Sequence, residues 1–257
     1  MNETMRTMWN RAASHFQAIV HDPDGGYPDG MMAFVREQGA AAPGCRVADI
    51  GCGTGKYALR FAELGCGLLL VDIADNMMDY AKENLAQANV PVEYAICDWS
   101  ETDLAEKGWE RSVDLAFASM TPAVRTREDL RKLCAMSRKH CFLSRFADRT
   151  DLLPKQAAEA CGLSLPERSY RAESLQLLDW LLEDGYFPSV RFVPYDWENL
   201  RTVEEAWEVV LSSELGLAIA ESGKQEQVKE FVRTLADENG MVREVVKTTA
   251  LWVLWEV

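Results

Sequence analysis

The stretch Arg46-Val47-Ala48-Asp49-Ile50-Gly51-Cys52-Gly53-Thr54-Gly55-Lys56-Tyr57 constrains this chain more than any other. A short apolar run enters three alternating glycines, after which Tyr57, Ala58, Phe61, Ala62 and Gly65 recur at helical spacing. Strand, glycine turn and helix therefore form one βα unit. Glycine suits such a turn because the backbone bends into conformations that a Cβ forbids and because a ligand can then approach bare amides. The helix start beyond it offers unpaired N–H donors and a partial positive charge, a place to hold a polar, anionic part of a ligand. The spacing argues against two other ligand turns. A dinucleotide fingerprint wants Gly or Ala at position 56, where Lys56 stands, and the phosphate loop G-x-x-x-x-G-K-[ST] cannot be laid over the segment.

What remains is acidic-x-Gly-x-Gly-x-Gly, Asp49 to Gly55, and this resembles motif I of the class I S-adenosylmethionine-dependent methyltransferases. The next segments extend the resemblance. Gly67-Leu68-Leu69-Leu70-Val71-Asp72 is a continuous apolar run ending in a carboxylate, as expected of a buried parallel strand whose C-terminal end meets a ligand crevice. Asp72 stands 21 residues after Gly51, where a carboxylate can accept hydrogen bonds from both hydroxyls of a ribose. Asp75 reads as the N-cap of a helix carrying Met78, Ala81, Leu85 and Ala88 on one face. After Pro91, the strand Val92 to Ile96 leads to Cys97-Asp98-Trp99. In the family an Asp here contacts the adenine amino group and the next residue lies along the ring. Asp98 and Trp99 match both places.

A fourth strand, Ser112 to Ser119, ends at Ser119-Met120-Thr121-Pro122, which in the family faces the transferred methyl group. Enzymes that methylate exocyclic amines of DNA bases carry Asn/Asp-Pro-Pro-aromatic there, and Met120 and Thr121 break that signature. Taken together, the resemblance implies S-adenosyl-L-methionine as cofactor. It places Asp49, Gly51, Cys52, Gly53, Gly55, Asp72, Ile73, Met77, Asp98, Trp99 and Ser119 around that cofactor. It is secure over about residues 45 to 146.

Composition narrows the acceptor. A net charge of −14 argues against a polyanionic partner, because nucleic-acid binding draws much of its free energy from Lys and Arg meeting phosphates. The seven cysteines form no C-x-x-C pair and no His/Cys spacing suited to zinc, so no metal is expected and free thiols suit a reducing cytosol. There is no apolar h-region at the start and no apolar run near the roughly 20 residues that span a bilayer, so no membrane role and a cytoplasmic location are expected.

Around the core, Met5, Met8, Trp9, Ala12, Phe16 and Ile19 form one helical stripe, which either packs or lies over the cofactor cleft. In the second case Trp9, His15 and Tyr27 are pocket candidates. The loop His21 to Pro28 reads as turn chemistry rather than a metal site. Thr126 with Asp129 opens a helix, and His140 starts a fifth strand on the far side from the crevice, a structural position. Near the C-terminus a helix spans Ala172 to Asp184 and strands cover Val190 to Val193 and Val245 to Val257, with capping boxes at Thr202/Glu205 and Ser222/Gln225 between them.

The expected fold is α/β: a doubly wound, seven-stranded, mainly parallel sheet, a Rossmann-like methyltransferase fold with N-terminal helices and a helical insertion near the C-terminus. The expected partition is an N-terminal helical cap over 1–44, a core over 45–197 and 241–257, and an insertion over 198–240 that could close over substrate. The resemblance implies methyl transfer to a small-molecule acceptor by a monomer or homodimer, with a protein methyltransferase and a non-catalytic cofactor-binding protein as alternatives. No catalytic residue is assigned; His15, His21 and Tyr27 are the nearest candidates for a base, none of them favoured.

Overall fold

The computed structural model describes residues 3–21, 26–165 and 169–257. Much of the predicted loop from His21 to Pro28 thus lies outside the described residues. The first half of the chain alternates helix and strand. Helices α1 (Glu3–Ala18) and α2 (Tyr27–Glu37) precede β1 (Arg46–Ile50), α3 (Lys56–Glu63), β2 (Gly67–Asp72), α4 (Asp75–Asn84) and β3 (Val92–Ile96). Then come α5 (Leu104–Lys107), β4 (Val113–Ser119), α6 (Arg127–Met136) and β5 (Ser137–Asp151). The second half runs α7 (Leu152–Cys161), α8 (Tyr170–Glu183), β6 (Ser189–Pro194), β7 (Trp197–Thr202), α9 (Val203–Ser212), α10 (Leu215–Ser222), α11 (Gln225–Thr234) and β8 (Met241–Glu256).

The sheet order is β3-β2-β1-β4-β5-β8-β6, with β7 also pairing β8. The pairs β1–β2, β1–β4, β2–β3 and β4–β5 are parallel, and β7–β8 is antiparallel. Parallel central strands buried on both faces need near-continuous apolar sequence, which β2 and β4 supply. The order reverses between β1 and β4, and at such a switch point the strand ends open a crevice for ligand. The sheet has eight strands where seven were expected, because residues 189–202 make two strands beside β8. Pro194 brings no N–H to a ladder, and the Asp196 side chain takes the Thr248 amide at 2.8 Å, so the edge breaks there.

By packing, the chain divides into two compact units, 1–145 with 175–191 and 251–257, and 146–174 with 192–250. In the first, Phe117 stacks on Phe142 at 4.7 Å, and the Trp252 indole donates to the Tyr27 hydroxyl at 2.7 Å. Helix α6 opens with a complete capping box: the Thr126 hydroxyl and the Asp129 amide and carboxylate satisfy each other. Thr126→Ala should cost about 1 kcal/mol, read as a lower midpoint in urea unfolding with an unchanged slope.

The second unit departs from the expected partition. Residues 198–202 are strand β7, not helical insertion. Helices α9 to α11 share one apolar cluster with α7: Ala206, Trp207, Val210, Ile219, Val228 and Val232 pack with Leu153, Ala157, Cys161 and Val242. The helical stretch thus completes the covering of α7. Of its two predicted capping boxes, Thr202/Glu205 forms and Ser222/Gln225 does not. Ser222 closes α10, its hydroxyl donating to the Ile219 carbonyl, and Gly223 at φ 66° ends that helix, so α11 starts from Lys224.

Candidate functional site

The C-terminal end of β1 turns through Gly51, Gly53 and Gly55 at φ 71°, 55° and 88°, all in the left-handed region where a Cβ is penalised. Gly51 has a second reason to lack a side chain: a Cβ there would stand 1.9 Å from Thr121 Oγ1. The Gly51 and Cys52 amides both donate to the Val71 carbonyl, at 2.7 and 3.1 Å, which fixes the turn to β2. Asp72, at the end of β2, grips the turn from the other side. Its Oδ2 accepts the Gly53 amide and its Oδ1 the Ala74 amide, each at 2.9 Å. A carboxylate has room for about four donors, so beside the Gly53, Ala74 and Ile73 amides it retains capacity for a ligand hydroxyl.

Asp49 lies inside this frame. It is 2% exposed on β1, in register with Leu70 of β2 and Phe117 of β4. Its Oδ2 has no hydrogen-bond partner among the described residues. Burial, with the Asp72 charge added, pushes its carboxyl up to about 8. Burial also raises Asp72 against the pull of its amide donors, and burial together with both carboxylates pushes the Cys52 thiol well above the ordinary thiol range. Two buried carboxyls with one unsatisfied oxygen suit a ligand bearing both positive charge and hydroxyls. S-adenosylmethionine is such a ligand, and the bare glycine turn leaves room for its approach.

The other expected residues divide. Met77 is buried, its Sδ 3.9 Å from where a Cβ of Gly53 would stand, and Ile73 and Met77 pack with Ala74 and with Trp9, Ala12 and Ala13 of α1. Asp98 accepts the Ser100 amide and hydroxyl at the head of a short 3-10 turn, and Cys97 donates to the Asp72 carbonyl, so the β3 end is tied to the same corner. Trp99, expected along a ring of the ligand, turns its indole toward α6. It is 3% exposed, its indole reaches the Asp129 carbonyl on α6, and Lys132 sits 5.6 Å over its ring. The large indole gains more from burial beneath α6 than from the solvent side of the turn.

Ser119 is buried at the end of β4, sharing a 2.8 Å hydrogen bond with Ser144 of β5. Met120 follows at φ 50°, its amide directed at Ser144. A non-glycine residue held in this region at a strand end marks a place where the surroundings enforce a costly conformation. Sequence reasoning missed Ser144, whose only signal was its position in the fifth strand.

One further expectation changes. Asp75 does not cap α4; Ala74 is the N-cap and Asp75 pairs with Arg6 of α1, which lowers the Asp75 carboxyl. Helix α1 docks through a polar row, Arg6 to Asp75, Asn10 to Asn76 and Gln17 to Asn84, beside part of its apolar stripe, Trp9 and Ala12, packed with Ala74 and Met77, while Met8 is left 46% exposed. Asn84 also donates to the Thr54 carbonyl, so the row reaches the glycine turn. Among the three candidate bases, His15 and His21 are exposed, whereas Tyr27 is 5% exposed and holds the Trp252 indole as a core residue. His140 Nδ1 is buried without a partner among the described residues and its pKa is lowered by that burial; it stands four residues before Ser144, beside Leu115 rather than the C-terminal end of β4. No cluster of three or more His, Cys, Asp or Glu suited to a metal occurs among the described residues.

A family model described as a methyltransferase domain matches residues 47–141. Two curated relatives are similar in sequence. The ribosomal protein L11 methyltransferase of Thermotoga neapolitana is 27% identical over 155 residues, 59% of this chain and 56% of that protein. The magnesium-protoporphyrin O-methyltransferase of Rhodobacter capsulatus is 32% identical over 82 residues, 32% of this chain and 37% of that protein. The chain thus spans about half or less of the length of these relatives. Among solved structures, magnesium protoporphyrin IX methyltransferase from Synechocystis PCC 6803 with bound SAH superposes with a TM-score of 0.57 at 17% identity, covering 76% of this chain and 93% of that one. The YcgJ protein from Bacillus subtilis gives 0.54 at 14% identity, covering 90% and 98%. At such identities these structures bear on the fold.

Proposed function

We propose, given that this chain belongs to the class I S-adenosylmethionine-dependent methyltransferases, that it transfers the sulfonium methyl group to a small organic acceptor. The observation that carries the reading is the corner where Asp49, the glycine turn and Asp72 meet, with its unsatisfied buried oxygen and backbone brought bare to a ligand. The net charge of −14 supports a small acceptor over nucleic acid, as does the relative named for magnesium-protoporphyrin. The relative named for ribosomal protein L11 supports a second reading, a polypeptide acceptor. The seven cysteines, all free, support work in a reducing compartment such as the cytoplasm, and no helix among the described residues is long and apolar enough to cross a membrane.

Bound at this corner, the cofactor supplies an already activated methyl group. The chain's own part is then alignment and exclusion of water, which can account for much of the rate of an in-line displacement. The glycine turn brings main-chain atoms to the ligand, Asp72 accepts ribose hydroxyls while its amide bonds hold the turn, and Asp49 faces positive charge. Asp98 and Ile73 bound the adenine side, and Ser119 and Met120 the end from which the methyl leaves.

Calorimetry with S-adenosylhomocysteine tests the site. Asp72→Ala should weaken binding by roughly 1.5–3 kcal/mol for each hydrogen bond to the charged group that is lost, and unchanged affinity removes Asp72 from the ribose. Wild-type protein should melt higher with S-adenosylhomocysteine and not with NAD. Radiolabelled methyl transfer into a metabolite pool, run beside a polypeptide pool, separates the two acceptor classes.

A further inference from the structure

We propose that taking up the cofactor expels a proton from Asp49, so that this carboxyl works as a proton-linked seat for the positive charge at the methionine end of the ligand. The inference rests on the cofactor reading and adds to it a linkage that binding alone does not require.

The geometry comes first. Asp49, next to last in β1, and Asp72, last in the adjacent parallel β2, are 2% and 9% exposed, and they are not equivalent. Both oxygens of Asp72 accept main-chain amides, which stabilise its charged form, whereas Asp49 Oδ2 meets no donor among the described residues. Two like charges at one buried corner do not ionise together cheaply. The corner therefore holds a proton, and the proton sits on Asp49, consistent with burial and the Asp72 charge raising its carboxyl to about 8.

Among the described residues, the groups packed around Asp49 offer no relief. From β2 the facing charge is Asp72, of the same sign. From the turn it is the Cys52 thiol, itself held neutral by burial and by both carboxylates. From β4 the partner in register is Phe117. Lys56, which opens α3, sends its ammonium to the Ile19 carbonyl at 3.2 Å. A ligand bearing an α-ammonium and a sulfonium changes this balance. Positive charge brought to a neutral buried acid favours the carboxylate, the O–H bond breaks, and the proton passes to solvent while the cation takes its place.

Isothermal titration of the full chain in buffers of different ionisation enthalpy reads the effect. At pH 7 the wild type should release close to one proton for each S-adenosylmethionine bound, and its affinity should rise about tenfold from pH 6 to pH 7. Asp49→Asn, nearly isosteric with the protonated acid, should bind with no proton release and a flat pH profile once a melting curve has confirmed its fold. Carboxyl 13C shifts of the wild type give a second measurement: the Asp49 signal should move from its neutral to its ionised position when the ligand is added at pH 6.5. Release with S-adenosylhomocysteine as well assigns the effect to the ammonium, and release with S-adenosylmethionine alone assigns it to the sulfonium; both outcomes support the linkage. Tight wild-type binding with no proton released overturns it, as does full release by Asp49→Asn, which would place the proton on Asp72. Failure of the wild type to bind either ligand overturns the cofactor reading itself.

Discussion

Asp49→Asn should gain stability over the wild type as pH rises, by up to about 1.4 kcal/mol per pH unit between about pH 5 and pH 7. In the folded protein this carboxyl is pushed up to about 8, whereas in the unfolded chain it returns to roughly 3.9. Between those values the folded state keeps a proton that the unfolded state has already released. The Asp49 contribution to wild-type stability therefore falls as pH rises through that window, and the fall ends above the folded value. Asparagine carries no titrating proton and shows no such loss. Asp72, which burial also raises, is common to both proteins and cancels to first order in the difference. The amide brings its own penalty, because its buried N–H donors inherit a site without partners, on the order of 1–3 kcal/mol. The variant should then start below the wild type near pH 4 and cross it as pH rises. Urea unfolding of both proteins at pH 5, 6 and 7 measures this directly, and parallel stability curves would show that Asp49 is not held neutral by burial.

Stabilisation on removing a side chain identifies what that side chain is for. A carboxyl kept unsatisfied in a core costs folding free energy, and such local conflicts are expected where a site is prepared for a ligand. The Met120 backbone, held at φ 50° beside the Ser119–Ser144 pair, is a second cost at the same end of the sheet. Both sit at C-terminal ends of neighbouring strands, one on each side of the point where the order reverses.

How much of this was legible in the sequence depends on the distance over which each signal acts. Gly51, Gly53 and Gly55 were readable because their requirement is local: a left-handed backbone needs glycine wherever it occurs. Strands β1, β2 and β4 were readable because burial on both faces writes itself as near-continuous apolar runs, and the edge strand β3 because Pro91 sets its start. The direction of the Trp99 indole was not legible, because residue type at a strand end does not say which way it turns, and the Asp129 carbonyl that receives it lies 30 residues on. The docking of α1 was legible only in part for a related reason. Trp9 and Ala12 of its apolar stripe pack with Ala74 and Met77, but the polar row Arg6, Asn10 and Gln17, unremarkable by itself, gave no sign of its pairing with Asp75, Asn76 and Asn84. The closing part of the chain was least legible. Helix α11 has clear periodicity, but that periodicity does not reveal that α7, on the other side of α8 in sequence, is what α9 to α11 cover.

Gly51→Ala should destabilise the protein by roughly 2–5 kcal/mol, the sum of two separable costs. The first is conformational: at φ 71° an alanine pays about 1–2 kcal/mol that glycine does not. The second is steric: the new methyl would lie 1.9 Å from Thr121 Oγ1 and 2.7 Å from Thr121 Cβ. Thr121 is not the far end of a long, yielding side chain; its hydroxyl also accepts the Ala123 amide at 3.2 Å, directly after the strained Met120. Relief must come from the backbone, for which overpacking of this kind costs about 1–3 kcal/mol. A double-mutant cycle with Thr121→Gly separates the two. Removing Thr121 should return the steric part in the Gly51→Ala background and leave the conformational part in place, giving a coupling energy of about 1–3 kcal/mol between residues 70 positions apart in sequence. A coupling near zero would mean that Thr121 moves away freely, and that Gly51 is required by its backbone angle alone.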